Sequence, residues 1–224
     1  MKVVALLVVL FLFRGTPDAF AVRGACPGEV VVVAAAAADE YESVCAAVRS
    51  CTPFLKSLGL VLPDGLTLTL EGAPLEKSLD HAFGYYDPRS NSIHLLNYRA
   101  ALEASRAAPS FGVPFDPAIW RSYIIHELAH AAAQGGFRRG AQSHTASEYI
   151  AAVSQLATLA PDERARILEH YGELSGFDGV EDITLNYYLL DPARFAINSF
   201  LHYLKPGNGA AFVRQLLLNG LPDE

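Results

Sequence analysis

Residues 117–136 read PAIWRSYIIHELAHAAAQGG, and the five at 126–130, HELAH, decide how the rest of the chain is understood. Asp116 followed by Pro117 supplies a helix N-cap and a first-turn proline, and Gly135-Gly136 supplies a stop, so the spacing predicts a helix from about Pro117 to Gln134. Trp120, Ile124, Leu128 and Ala131 form one apolar stripe along it. Tyr123, His126, Glu127 and His130 fall on another face. Residues four apart on a helix stand one above the other, so the imidazoles of His126 and His130 can converge on one ion. Glu127 lies beside them, placed to act as a base on metal-bound water. Two nitrogen ligands and a base from five residues are the signature of a hydrolytic zinc site.

Such a site needs a third protein ligand and an open position. The basic turn FRRGAQS leads into a second helix, beginning near residues 143–145 and running to about Leu159. It offers His144 and Glu148. Thr145-Ala-Ser-Glu148 also reads as a capping box, which would give the glutamate a purely local role.

With Glu148 placed 18 positions after His130, the arrangement resembles the gluzincin type of zinc metallopeptidase, the thermolysin-like HExxH group. The resemblance covers residues 80–160 and implies a zincin-like fold, Zn2+ as cofactor, and His126, His130 and Glu148 as metal ligands. It implies a peptide or protein substrate cleaved by water that Glu127 activates. It also implies an oxyanion donor on a C-terminal helix, for which His202 and Tyr203 in SFLHYLKP are the candidates, and a sheet-edge strand above the metal, for which Ser92–Leu96 is the candidate. The chain departs from the group one turn after Glu148, where Ala151 and Ala152 replace the polar residue that usually supports a ligand histidine. Support for His126 or His130 must then come from elsewhere.

Upstream, Lys2, the apolar run Val3–Phe13 and the small-residue site Ala19-Phe20-Ala21 read as a cleaved signal peptide over residues 1–21. That run ends at Arg14, well short of the roughly 20 residues needed to span a bilayer. The expectation is a protein exported to the periplasm or medium, with no stable membrane span after cleavage. Its formal net charge of −7 becomes one unit more negative without residues 1–21, which argues against a nucleic-acid partner. Residues 22–224 are long and apolar enough for a single domain.

Three cysteines in an exported chain allow one disulfide. A strand near residues 29–34 and a returning helix at about Asp39–Ser50 suggest that Cys26 pairs with Cys51, leaving Cys45 free and buried. Further along, LTLTLEG at residues 66–72 alternates like a strand, and HAFGYYD and NSIHLLN form a hairpin around Pro88–Asn91. Downstream of Pro117 the pattern is helical. The fold class is therefore α+β, a small N-terminal mixed sheet with helices followed by a mainly helical C-terminal half.

Two other functions compete with the peptidase. One is an exported zinc-binding protein without turnover that uses the cleft for binding, against which the presence of Glu127 argues. The other is an exported interaction or inhibitor domain in which HELAH is incidental.

Overall fold

The alternating run at residues 66–72 and the hairpin after it build the sheet that borders the motif helix. The computed structural model describes residues 22–73, 83–107 and 110–222. The expected signal segment, residues 1–21, and the beginning of the hairpin at residues 81–82 lie outside them. The strands are β1 (Val22–Ala25), β2 (Val32–Ala35), β3 (Thr67–Glu71), β4 (Gly84–Asp87) and β5 (Ser92–Leu96), in the order β1-β2-β3-β5-β4. The three inner strands are parallel, and β1 and β4 run antiparallel at the edges. In β3, Leu68 and Leu70 enter the core while Thr67, Thr69 and Glu71 stay half-buried on the opposite face, the period-two alternation read from sequence.

The hairpin forms as expected, with Asp87 opposite Ser92 and Asn91 in the left-handed region that asparagine tolerates. A Cβ at Gly84 would stand 2.7 Å from the Leu95 side chain and 2.8 Å from the His94 carbonyl oxygen, so only glycine lets β4 lie against β5. The strand expected at the edge, Ser92–Leu96, is instead interior. Ser92, Ile93, Leu95 and Leu96 are all buried, and a strand buried on both faces belongs between neighbours. The edge falls to β4.

Among the described residues eight α-helices accompany the sheet: α1 (Ala38–Ser57), α2 (Tyr98–Ser105), α3 (Pro117–Gly136), α4 (His144–Ala157), α5 (Pro161–His170), α6 (Leu185–Leu190), α7 (Pro192–Leu204) and α8 (Gly209–Asn219). The architecture is α+β with a helical C-terminal half. Helices α1 and α3 pack together and against the sheet, and α4 lies across α3 with α7 covering it. Among the described residues no helix is long and apolar enough to cross a membrane.

Helix α3 begins where the sequence places it. Asp116 Oδ1 accepts from the backbone N–H groups of Ala118 and Ile119, a cap worth about 1 kcal/mol. Trp120 Nε1 donates to the Leu96 carbonyl at 3.0 Å, which ties the motif helix to β5. Its inner face buries Ile124, Leu128 and Ala131.

The disulfide differs from the sequence expectation. Cys26 is bonded to Cys45, with Cα atoms 5.2 Å apart, and Cys51 is the buried free thiol. Helix α1 does not stop near Ser50 but continues through Pro53 to Ser57, held by the buried Val48, Cys51 and Leu55. Rising about 1.5 Å per residue, it retraces the length of β2, roughly 3.3 Å per residue, within its first two turns, which is where Cys45 sits. Cys51 lies about 9 Å further along the axis. Burial and the Glu29 charge push its thiol pKa up to about 12, so it is an inert core residue. Because the disulfide spans 19 positions, Cys45→Ser is expected to cost about 3 kcal/mol in urea denaturation, and non-reducing peptide mapping should find Cys26 linked to Cys45. A Cys26–Cys51 peptide would contradict the pairing.

Candidate metal centre

Helix α4 is capped by Ser143, whose Oγ accepts from the Ala146 N–H, and not by Thr145. Glu148 is therefore released from the capping-box role. It sits early in α4 and turns towards α3. Its Oε2 lies 3.3 Å from His126 Nε2 and its Oε1 lies 3.4 Å from His130 Nε2, while the two histidine Nε2 atoms are 3.1 Å apart. His126, His130 and Glu148 together could hold a metal ion.

The surrounding hydrogen bonds fit that occupancy. Gln155 Nε2 donates to Ser122 Oγ at 3.0 Å, and Ser122 in turn donates to the Ile119 carbonyl. The amide orientation of Gln155 is thereby set, and its Oε1 can only accept. His126 Nδ1, 3.1 Å away, must then be the protonated nitrogen, which leaves the Nε2 lone pair directed at its neighbours. Ser147 Oγ stands 2.7 Å from His130 Nδ1 and serves His130 in the same way. Glu148 is 1% exposed, and its Oε2 has no hydrogen-bond donor among the described residues. A buried carboxylate whose two oxygens each face an imidazole nitrogen calls for a cation or a proton between them.

In the metal-free protein a proton takes that part. Burial pulls the His126 pKa down, but the hydrogen bond and charge of Glu148 outweigh it and raise it above the usual value. Burial would raise the pKa of Glu148. The His130 charge and hydrogen bonds from His126, His130 and His144 hold it well below the ordinary carboxylate range.

His144, the other candidate ligand, lies outside the three-residue cluster. Its Nε2 meets Glu148 Oε1 at 3.1 Å, so it helps to orient the carboxylate. The missing polar residue one turn after Glu148 is replaced two turns after it by Gln155. A glutamine in the mainly apolar run AAVSQLATL, buried along with its neighbours, is the signal that could have found it. Removing such a partner typically costs 10–100-fold in metal affinity, about 10-fold or more being expected for Gln155→Ala by competition with a chromophoric chelator. An unchanged affinity would show that the orientation of His126 is set by packing alone.

Two cavities meet at the cluster, and Glu127, only 4% exposed, lines both together with Glu148. The first, about 300 Å³, is bordered by His130, His144, Gln134 and Gln142 and by Tyr85 and Tyr86 of the edge strand β4. The second, about 370 Å³, opens beside His126 and is mainly apolar.

His202 and Tyr203 border neither. His202 is a core residue, 5% exposed, with its ring against Phe212 and its Nδ1 2.8 Å from the Tyr149 hydroxyl. Burial pushes the Tyr149 pKa far up, so Tyr149 donates and His202 accepts. Burial and the Lys205 charge pull His202 below its usual value, which keeps it neutral. Tyr203 packs edge-on against Phe54. The tyrosines that do line the cavities are Tyr188 of α6 and Tyr123 on one side and Tyr85 and Tyr86 on the other.

Fold and site together define an α+β protein whose two crossing helices bring together a His-His-Glu cluster that could hold a metal ion, with an acid beside it. Residues 31–220 match the model of a family described as "Family of unknown function (DUF6639)", and the chain belongs to that family. No curated protein and no solved structure gave a significant match.

Proposed function

We propose that the chain is an exported zinc-dependent peptidase in which His126, His130 and Glu148 hold the ion and Glu127 is the catalytic base. The observation that carries this reading is the convergence of His126 Nε2 and His130 Nε2, 3.1 Å apart, on the buried Glu148 carboxylate, whose Oε2 is 3.3 Å from the first and whose Oε1 is 3.4 Å from the second. Two imidazole nitrogens and one carboxylate are a donor set that suits zinc better than the larger oxygen-preferring cations.

When bound, zinc supplies a Lewis acid that polarises a substrate carbonyl and lowers the pKa of water at its open position. Glu127 then accepts a proton from the attacking water. As the C–N bond breaks, the same carboxyl returns that proton to the leaving amine nitrogen. His144 and Gln155 hold the ligands in place while this happens, and the buried setting of Glu127 and Glu148 limits competing water. The substrate backbone is proposed to lie along β4, whose outer edge has no strand partner among the described residues and whose Tyr85 and Tyr86 border the polar cavity. Cavities on both sides of the cluster leave room for chain in both directions. The Cys26–Cys45 disulfide supports an oxidising, exported setting.

The test is purification without added metal, followed by elemental analysis and incubation with a mixed peptide library read by mass spectrometry. One zinc per chain and chelator-sensitive cleavage are expected. Stoichiometric zinc without cleavage by wild type or Glu127→Gln would favour the binding protein without turnover, and an absence of metal would remove both readings.

A further inference from the structure

The cavity beside His126 has a chemistry that the peptidase reading does not use. Its walls include the rings of Phe111, Tyr123, Tyr188 and Phe195, and the small Ala152 and Ala196 leave its interior open. At about 370 Å³ it is large enough for a six-membered ring. Leu190 borders it and is 86% exposed, an apolar side chain left in water at the rim. One wall is polar. Ser110 Oγ is buried there without a well-formed hydrogen bond among the described residues, close to the Tyr123 hydroxyl. Burial pushes the Tyr123 pKa up to about 12, so its hydroxyl stays protonated, and the Ser110 hydroxyl beside it, with one donor and two acceptor positions, has capacity for a further partner.

We propose that this cavity is the selectivity pocket, taking an aromatic side chain from the residue next to the scissile bond, with tyrosine preferred over phenylalanine because its phenol reaches Ser110. The proposal rests on the peptidase reading for the identity of the substrate but concerns only the pocket. Rings pack edge-on or offset against the aromatic walls. A phenol satisfies a buried hydroxyl that an aliphatic or unsubstituted ring leaves unpaired. Of the three acids in the lining, Glu127 and Glu148 belong to the metal cluster and its base, and Asp191 is engaged at the start of α7 by the Arg194 N–H and guanidinium.

The experiment compares internally quenched peptides that differ only at the residue next to the cleaved bond, whose side is assigned by mass spectrometry. Expected kcat/KM favours tyrosine over alanine by about a hundredfold and tyrosine over phenylalanine by about fivefold. Ala196→Leu fills the cavity and should reduce the tyrosine-to-alanine ratio at least tenfold, with Ala193→Leu as the second variant should the first melt abnormally. Ser110→Ala should bring the tyrosine-to-phenylalanine ratio close to one. The same peptides are bound to zinc-loaded Glu127→Gln and followed by fluorescence anisotropy. Ranked binding without any turnover in wild type would overturn the peptidase reading and leave the pocket standing. Cleavage or binding that ignores this residue, or a ratio untouched by Ala196→Leu in a normally melting protein, overturns the pocket.

Discussion

Glu127→Gln is expected to lower kcat for peptide cleavage by about a thousandfold while the protein keeps one zinc per chain. The substitution is nearly isosteric, so a side chain only 4% exposed can be exchanged without opening a cavity in α3. What it removes is the ability to accept a proton from water and pass it to the leaving amine. A positioned acid–base group contributes roughly 10²- to 10⁴-fold, and in the proposed mechanism one carboxyl performs both transfers. Steady-state kinetics alongside elemental analysis separates the possibilities. Full activity in the variant would mean that some other group takes the proton, and activity lost together with zinc would mean that Glu127 serves the site only structurally.

The second large effect concerns metal and stability together. On the proposed reading zinc binds the folded cluster and not the unfolded chain, so at 1,000 times the dissociation constant it should add about 4 kcal/mol. For a chain of this size that corresponds to roughly 10 °C in Tm, which a chelator should abolish in wild type. Glu148→Ala should lose most of its zinc affinity, beyond the 10–100-fold assigned to outer partners, and its Tm should ignore the chelator.

The pH dependence has a defined sign. Metal binding requires neutral histidines, so the zinc contribution fades on acidification. In the metal-free protein the His126 pKa is raised, so its pairing with Glu148 stabilises below the unfolded histidine value of about 6.5 and is lost as pH climbs through the raised value. Glu148, depressed, contributes above its ordinary value of 4.5 and loses this as pH falls further. The gap in Tm between loaded and chelated protein should therefore narrow from pH 8 to pH 6. Differential scanning fluorimetry with and without chelator checks this, and a gap that widens on acidification would contradict it.

Some of this was legible in the residues alone and some was not, for physical reasons. The motif helix was readable because Asp116, Pro117 and the apolar stripe all act locally, and the structure bounds it at Pro117–Gly136. The α+β order and the β4–β5 hairpin were readable for the same reason. Glu148 joined the two histidines because α4 starts at Ser143 and crosses α3, a tertiary fact that spacing only allowed.

The disulfide was misread because it depends on how far α1 runs through Pro53, and buried neighbours, not local propensity, decide that. Strand order in a mixed sheet is likewise non-local, so the edge went to β4 and not to β5. His202 illustrates the limit of helical periodicity. The pattern in SFLHYLKP marks an inward face without saying whether a cavity or a core lies there, and here Phe212 and Tyr149 fill the space. Gln155 escaped because it takes up, two turns on, the supporting role that the resembled group fills after one.

The central claim is that three side chains from α3 and α4 share one zinc ion. X-ray absorption at the zinc edge on protein purified without added metal tests it most directly. The account predicts one zinc per chain with two imidazole nitrogens and a carboxylate oxygen about 2.0–2.1 Å away, a signal lost in Glu148→Ala. Protein free of stoichiometric zinc, or a zinc spectrum that Glu148→Ala leaves unchanged, would contradict it.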